Sequence, residues 1–295
     1  MKKTLLLPLF SILLVFSGTC EDFIVSYLNG DAFLLTRGDE EYLDIGDPVS
    51  DKARILIEEG GILELRGDSR SFTLAGPGTF ELASMLARAG KRESAPLANL
   101  LSSRIDRMLS NSEIEKPSSV MGVRGAAAEE MEMDWIGSES DPYISRGRDQ
   151  LREGDYSAAQ KTFSQGLEIA RDYGESDSEA ELAFLLSWTL SVEGSTGPAL
   201  HSLSLLQVDP YTPWYPEYRL LHARLLLDSG ASEQAAEILR QNRGIQPLQK
   251  EDELILGIAL FEGSGKNRKE ALEILNGLAA ENGAVADIAR AYLQK

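Results

Sequence analysis

The chain holds a single cysteine, Cys20, and only two histidines, His201 and His222. One thiol excludes an intramolecular disulfide framework, and two imidazoles without a neighbouring thiolate are too few soft ligands for an ordinary zinc site. Both histidines read as partly buried helix residues. Basic residues are scarce as well: 29 Lys and Arg stand against 47 Asp and Glu, a net charge of −18. Such a surface repels nucleic acid and anionic headgroups, which are held through clustered cations. Proteins, peptides and sugars remain as partners. Long apolar runs are confined to residues 5–16, and that run is shorter than the ~20 residues a membrane-spanning helix needs.

Signatures of catalysis are also lacking. No Gly-x-Ser-x-Gly elbow and no His-Glu-x-x-His pair occurs. Residues 262–266 resemble a phosphate loop only in part: Leu260 stands where the earlier glycine belongs, and Asn267 where a magnesium-holding Ser or Thr belongs. The reading is a non-enzymatic protein with no catalytic residue, no cofactor and no metal.

What is present begins with Lys2 and Lys3, the apolar run, and then Ser17, Gly18 and Thr19. That is the three-part layout of a secretory signal over residues 1–19. Cys20 stands where the run ends, and the arrangement resembles a bacterial lipoprotein signal, whose cleaved product begins with a lipid-bearing cysteine. The resemblance implies export to the periplasm or outer membrane, anchoring through Cys20 and a short tether over 20–22. Ordinary cleavage leaving a free thiol is the alternative.

From residue 23 onward, apolar runs at 23–28, 32–36, 42–45, 54–57, 62–65 and 71–74 alternate with Gly and Asp turn signals. This spacing predicts a small antiparallel sandwich or barrel. Leu82, Met85, Leu86, Leu97, Leu100, Leu101, Ile105 and Leu109 then recur at helical spacing, broken near Gly90 and Pro96. One or two helices are therefore expected over 82–110, covering a face or edge of the sheet. Arg37-Gly38-Asp39 and Arg66-Gly67-Asp68 spell an adhesion tripeptide, but Gly and Asp are ordinary turn residues and are read as such.

Gly30, the group Leu43, Gly46 and Asp47, the Gly-x-Leu-Glu-Leu of 61–65, the Gly-Pro-Gly-Thr-Phe-Glu-Leu of 76–82 and the Gly-Val-Arg-Gly of 122–125 form a pattern similar to the FecR domain family over residues 23–130. After 122–125 the family continues into a last strand, where this chain has three alanines and two glutamates.

A linker is expected over 131–140, and a different periodicity follows over 141–295. Tyr143, Gly147, Gly154, Asp155, Tyr156, Ala159, Phe163 and Leu167 match the tetratricopeptide pattern, in which small residues let two helices approach closely. Gly194, Ala199, Leu203 and Leu206 form a second unit, Gly230, Ala235, Leu239 and Pro247 a third, and Ala271, Leu275 and Leu278 a fourth. Ala159, Ala199, Ala235 and Ala271 are 40, 36 and 36 residues apart, and a helix over 284–294 would cap the stack. The fold class is thus α+β in separate domains: a small antiparallel FecR-like sandwich with a helical insertion, then an all-α tetratricopeptide-like solenoid.

In such repeats the first helix of each pair lines a groove. The register carries Ile144, Arg148, Arg152, Phe184, Trp188, Leu220 and Arg224 onto it, a set suited to another envelope protein or an extended acidic peptide. The dense aromatic stretch Tyr211, Trp214, Tyr215 and Tyr218 reads as a bent junction between repeats, with a sugar platform as its sharper alternative. Three functions follow: a cell-envelope interaction scaffold, an envelope signal sensor of the kind FecR proteins imply, and a peptide- or glycan-binding adhesin. The sensor meets an obstacle in topology, since only Met1 to Lys3 precede the apolar run.

Overall fold

The computed structural model describes residues 22–36, 38–68, 70–89, 94–111, 138–243 and 246–294. Cys20, expected to carry lipid, the expected signal over 1–19, the motif at 122–125 and most of the expected linker over 131–140 lie outside them. An antiparallel two-sheet β region comes first and a helical region second.

The eight strands are β1 (Asp22–Asn29), β2 (Ala32–Leu35), β3 (Glu40–Tyr42), β4 (Pro48–Ser50), β5 (Arg54–Ile57), β6 (Ile62–Arg66), β7 (Ser71–Ala75) and β8 (Gly78–Glu81). They form two four-stranded sheets, ordered β4-β1-β6-β7 and β3-β2-β5-β8. Alternation decides which side chains go inward. Phe23, Val25, Leu63, Leu65 and Leu74 of the first sheet meet Ala32, Ile55 and Ile57 of the second in one core. The run expected at 42–45 is not a strand beyond Tyr42. There the Asp47 carboxylate accepts from the Asp44 N–H at 2.7 Å and Gly46 takes φ 99°, so the backbone turns and the strand falls earlier, in β3.

The insertion splits in two. Helix α1 (Leu82–Ala89) packs Leu82, Met85 and Leu86 onto the sandwich core. Helix α2 (Ser94–Asn111) does not cover a sheet face or edge as expected. Its residues Leu97, Leu101, Ile105 and Leu109, four apart and so on one stripe, are buried in the core of the helical region instead.

That region comprises α3 (Asp141–Arg152), α4 (Tyr156–Tyr173), α5 (Ser176–Val192), α6 (Thr196–Leu205), α7 (Tyr215–Asp228), α8 (Ser232–Asn242), α9 (Lys250–Glu262), α10 (Arg268–Ala279) and α11 (Ala284–Leu293). Successive helices pack on one another, and α3 with α5, α7 with α9, and α9 with α11 also touch, so the odd-numbered helices share a layer. The same turn recurs: Gly154, Gly194 and Gly230 have φ 78°, 85° and 84°, a left-handed conformation that glycine adopts without Cβ strain. Ala159, Ala199, Ala235 and Ala271 are all fully buried. At Gly147 an added Cβ would lie 2.2 Å from the Phe163 ring, so only glycine lets α3 approach α4 this closely. Helix α9 is buried without interruption from Leu254 to Leu260 because neighbours enclose it on every side.

Candidate functional site: the helix-filled face of the helical layer

Helix α2 lies across the odd-numbered layer and touches α3, α7 and α11. Eighteen residues rise about 27 Å, whereas five helices at 8–10 Å spacing span roughly 32–40 Å. With side-chain contact beyond each end, a helix of that length reaches both the first and the last members.

Arg104, at the centre of α2, is 2% exposed. Its Nε donates to Glu217 Oε1 at 3.0 Å and one terminal nitrogen to Asp252 Oδ1 at 3.4 Å, while Glu251 stands at 4.0 Å. The other carboxylate oxygen of Asp252 accepts from Arg219 at 2.7 Å and from the Gln249 N–H at 2.9 Å, which also caps α9. Arg219 and Asp252 are wholly buried. A buried ionic cluster of this kind contributes little net stability but fixes register, because leaving any charge unpaired in the interior is costly. The second terminal nitrogen of Arg104 has no partner. At the far end of α2, Arg152 donates to the Leu109 carbonyl at 2.7 Å, satisfying a helix-terminal acceptor.

The residues expected to line a groove are divided by this arrangement. Ile144 and Arg148 lie together beside the C-terminal half of α2, on a cleft of about 1070 Å³ that also reaches Tyr211 and Glu217. Arg148 is paired with Glu181, whose carboxyl burial pushes above the usual range against the pull of that arginine. Arg152 is bonded to Asp149 and to α2. Phe184 is fully buried and stacks on Trp214 at 5.2 Å and 7°, and Trp188 is buried as well. Leu220 and Arg224 share a small gap with Leu97, Leu100 and Leu101 of α2, and Arg224 is paired with Asp228. Arg148 and Arg224 therefore flank different parts of α2 and do not converge.

The aromatic stretch forms the junction between α6 and α7. Trp214 and Tyr215 are buried and Tyr211 is 81% exposed. Burial pushes the Tyr218 hydroxyl up to about 12, and that hydroxyl donates to the Leu203 and Leu206 carbonyls. Residues 263–266 are the turn between α9 and α10.

Sequence reasoning did not single out Arg104, Glu217, Arg219 or Asp252. The four-residue spacing of Leu97, Leu101, Ile105 and Leu109, with Arg104 beside that stripe, is a signal that α2 buries one face; nothing in the sequence says against what. Among the described residues no His, Cys, Asp and Glu group is arranged to hold a metal ion, and no helix is long and apolar enough to cross a membrane. No protein-family model matches this chain, and neither a curated protein nor a solved structure matches it.

Proposed function

We propose that this chain is a non-enzymatic cell-envelope scaffold, exported and lipid-anchored through Cys20, that holds partner proteins on a tetratricopeptide-like array joined to a FecR-like domain. The observation that carries the reading is the seat of α2. A layer of helices receives an amphipathic helix by its apolar stripe and pairs a central arginine with Glu217 and Asp252. This is helix-in-groove recognition performed within one chain. A partner helix of like pattern would take the place of α2, and the lipid would confine the exchange to a membrane surface.

The test opens the face and refills it. A labelled peptide with the sequence of residues 94–111 is titrated into the native chain and into a Leu101→Asp/Ile105→Asp variant whose helicity is checked by circular dichroism. Binding to the variant and not to the native chain is expected. A folded variant that ignores the peptide overturns the groove reading; if that variant does not fold, Arg104→Glu loosens α2 with a single charge reversal and serves the same comparison. Anchoring is tested separately: Cys20→Ser should move the protein from the detergent phase to the aqueous phase, and an unchanged partition overturns the lipoprotein reading.

A further inference from the structure

The two sheets each leave one edge strand on the same side of the sandwich, β7 in the first and β8 in the second. Hydrogen-bond register decides which backbone groups these edges present. In the β6–β7 pair, Gly76 N–H donates to the Gly61 carbonyl and Gly67 N–H to the Arg70 carbonyl, which makes Leu63↔Leu74 and Leu65↔Phe72 the bonded pairs between them. Ser71, Thr73 and Ala75 therefore aim their N–H and C=O groups away from the sheet. Ala75 demonstrates it, since its N–H donates to the Ser229 carbonyl of the helical region at 3.2 Å. In the β5–β8 pair, Leu82 N–H donates to the Ala53 carbonyl, so Ile55↔Phe80 is bonded and Thr79 and Glu81 point outward. Among the described residues, the outward backbone groups of Ser71, Thr73, Thr79 and Glu81 have no partner.

Both edges open on one cleft of about 600 Å³ between the sandwich and the helices. Phe72, Phe80 and Met85 supply apolar surface from the sandwich side. Of the carboxylates on the cleft, Asp228 is paired with Arg224 at 3.2 Å and Glu262 accepts from the Tyr292 hydroxyl, while Glu81, more than half exposed, stands 3.6 Å from the equally exposed Arg54. Sheet edges with free donors and acceptors are templates for strand addition, and natural proteins usually block them. Here α1 touches β8 and α6 touches β7, and the stretches that face the cleft are 71–73 and 79–81.

We propose that this cleft binds an extended segment of a partner protein, four or five residues long with alternating apolar and basic side chains, as an added strand on β7 or β8. Backbone bonds to Thr73 or Thr79 give affinity; the strand's period of two turns apolar side chains to Phe72 and Phe80 and basic ones to the exposed Glu81. This deepens the scaffold reading for the β region and is independent of the α2 seat, so the two can fail separately.

The probe is a labelled, acetylated peptide alternating valine and lysine, titrated into the full chain by fluorescence anisotropy. Methylating the outward-bonding amides of the peptide should weaken binding by about tenfold or more, since two or more hydrogen bonds of ~1 kcal/mol are lost. Thr73→Pro or Thr79→Pro should do the same for whichever edge is used, because proline deletes only an outward N–H there. Glu81→Lys, at an exposed position, should reverse the preference toward a glutamate version of the peptide. Equal binding of the methylated peptide, or no peptide binding beside capture of a soluble oligosaccharide, overturns the proposal. So does slow amide exchange at both Thr73 and Thr79 in the chain alone, which would mean that the edges are already paired.

Discussion

Glu64 on β6 accepts a hydrogen bond at 2.8 Å from the backbone N–H of Gly197 in the first turn of α6, 133 residues away. The carboxylate is buried, and its other oxygen accepts from the Ser26 hydroxyl at 3.1 Å. A helix N-terminus carries unsatisfied N–H groups and positive partial charge, so it compensates a buried anion. The contact joins the two regions at a point where side chains leave no slack. A Cβ on residue 197 would come 2.9 Å from the Tyr27 ring and 3.2 Å from Glu64.

Replacing Glu64 by Ala is expected to cost about 2–3 kcal/mol, the range for a charge-assisted hydrogen bond lost with its buried partner left unsatisfied. Urea denaturation followed at two wavelengths, one sensitive to strands and one to helices, should then give separated transitions. Gly197→Ala should act in the same direction through steric conflict. Coincident transitions with an unchanged midpoint in both variants would show that the junction is not held here.

Arg104 should behave as the pivot of a buried ionic cluster. Arg104→Ala leaves the buried Glu217 without its cation and Asp252 with Arg219 alone, and is expected to cost about 3–5 kcal/mol. The double change with Glu217→Ala should cost less than the sum of the single changes by roughly 1–3 kcal/mol, a coupling that urea melts of the four proteins measure directly. Strict additivity would mean that the two groups do not interact in solution.

Phe184 and Trp188 are packing residues in this fold. Phe184→Ala should destabilise the helical region by about 3–5 kcal/mol through the cavity left beside Trp214. In a peptide titration done well below the melting temperature, its affinity for the residue 94–111 peptide in the opened variant should stay within a few-fold of the parent. A stable protein that loses peptide binding would make Phe184 a contact residue.

His222 gives stability a pH dependence of known sign. Burial lowers its pKa from 6.5 to about 4, so the imidazole is neutral in both folded and unfolded chains above pH 6.5. As pH falls from there toward 4 the unfolded chain takes up a proton that the folded chain refuses, and stability is lost, by about 3 kcal/mol in all. Below that window both states are protonated and the loss from this group stops. Glu181, whose carboxyl is raised, acts in the opposite sense: its folded form favours the proton, so its contribution declines as pH rises past 4.5. The difference in unfolding free energy between native protein and His222→Phe at about pH 7, 5.5 and 4 isolates the histidine. A difference that does not change with pH would mean the ring is solvated.

Much of the architecture follows from local pattern. Alternating residues at the start of β1 demand a half-buried strand, Gly154, Gly194 and Gly230 fix three like turns, and the recurring alanines mark where helices must touch. These are short-range demands, and a sequence states them in the spacing of neighbours. The placement of β3 was less legible, because the Asp44–Asp47 turn is chosen by one side-chain hydrogen bond and not by periodicity.

What the sequence by itself determined is therefore the existence and kind of most elements, their division into a β region and a helical region, and the apolar stripe of α2. Only the tertiary structure decided what that stripe meets. Amphipathic spacing says that a face must leave water, and burial is favourable against any apolar partner, so α2 satisfies it equally well on its neighbouring sheet or on helices more than a hundred residues away. The choice falls to the helices because Glu217 and Asp252 converge on Arg104 only after α7 and α9 have packed side by side, and a buried guanidinium requires such partners. Leu220 is covered because α2 lies over it, and Phe184 is inside because Trp214 and Tyr218 close on it; both are long-range outcomes that no window of the sequence contains.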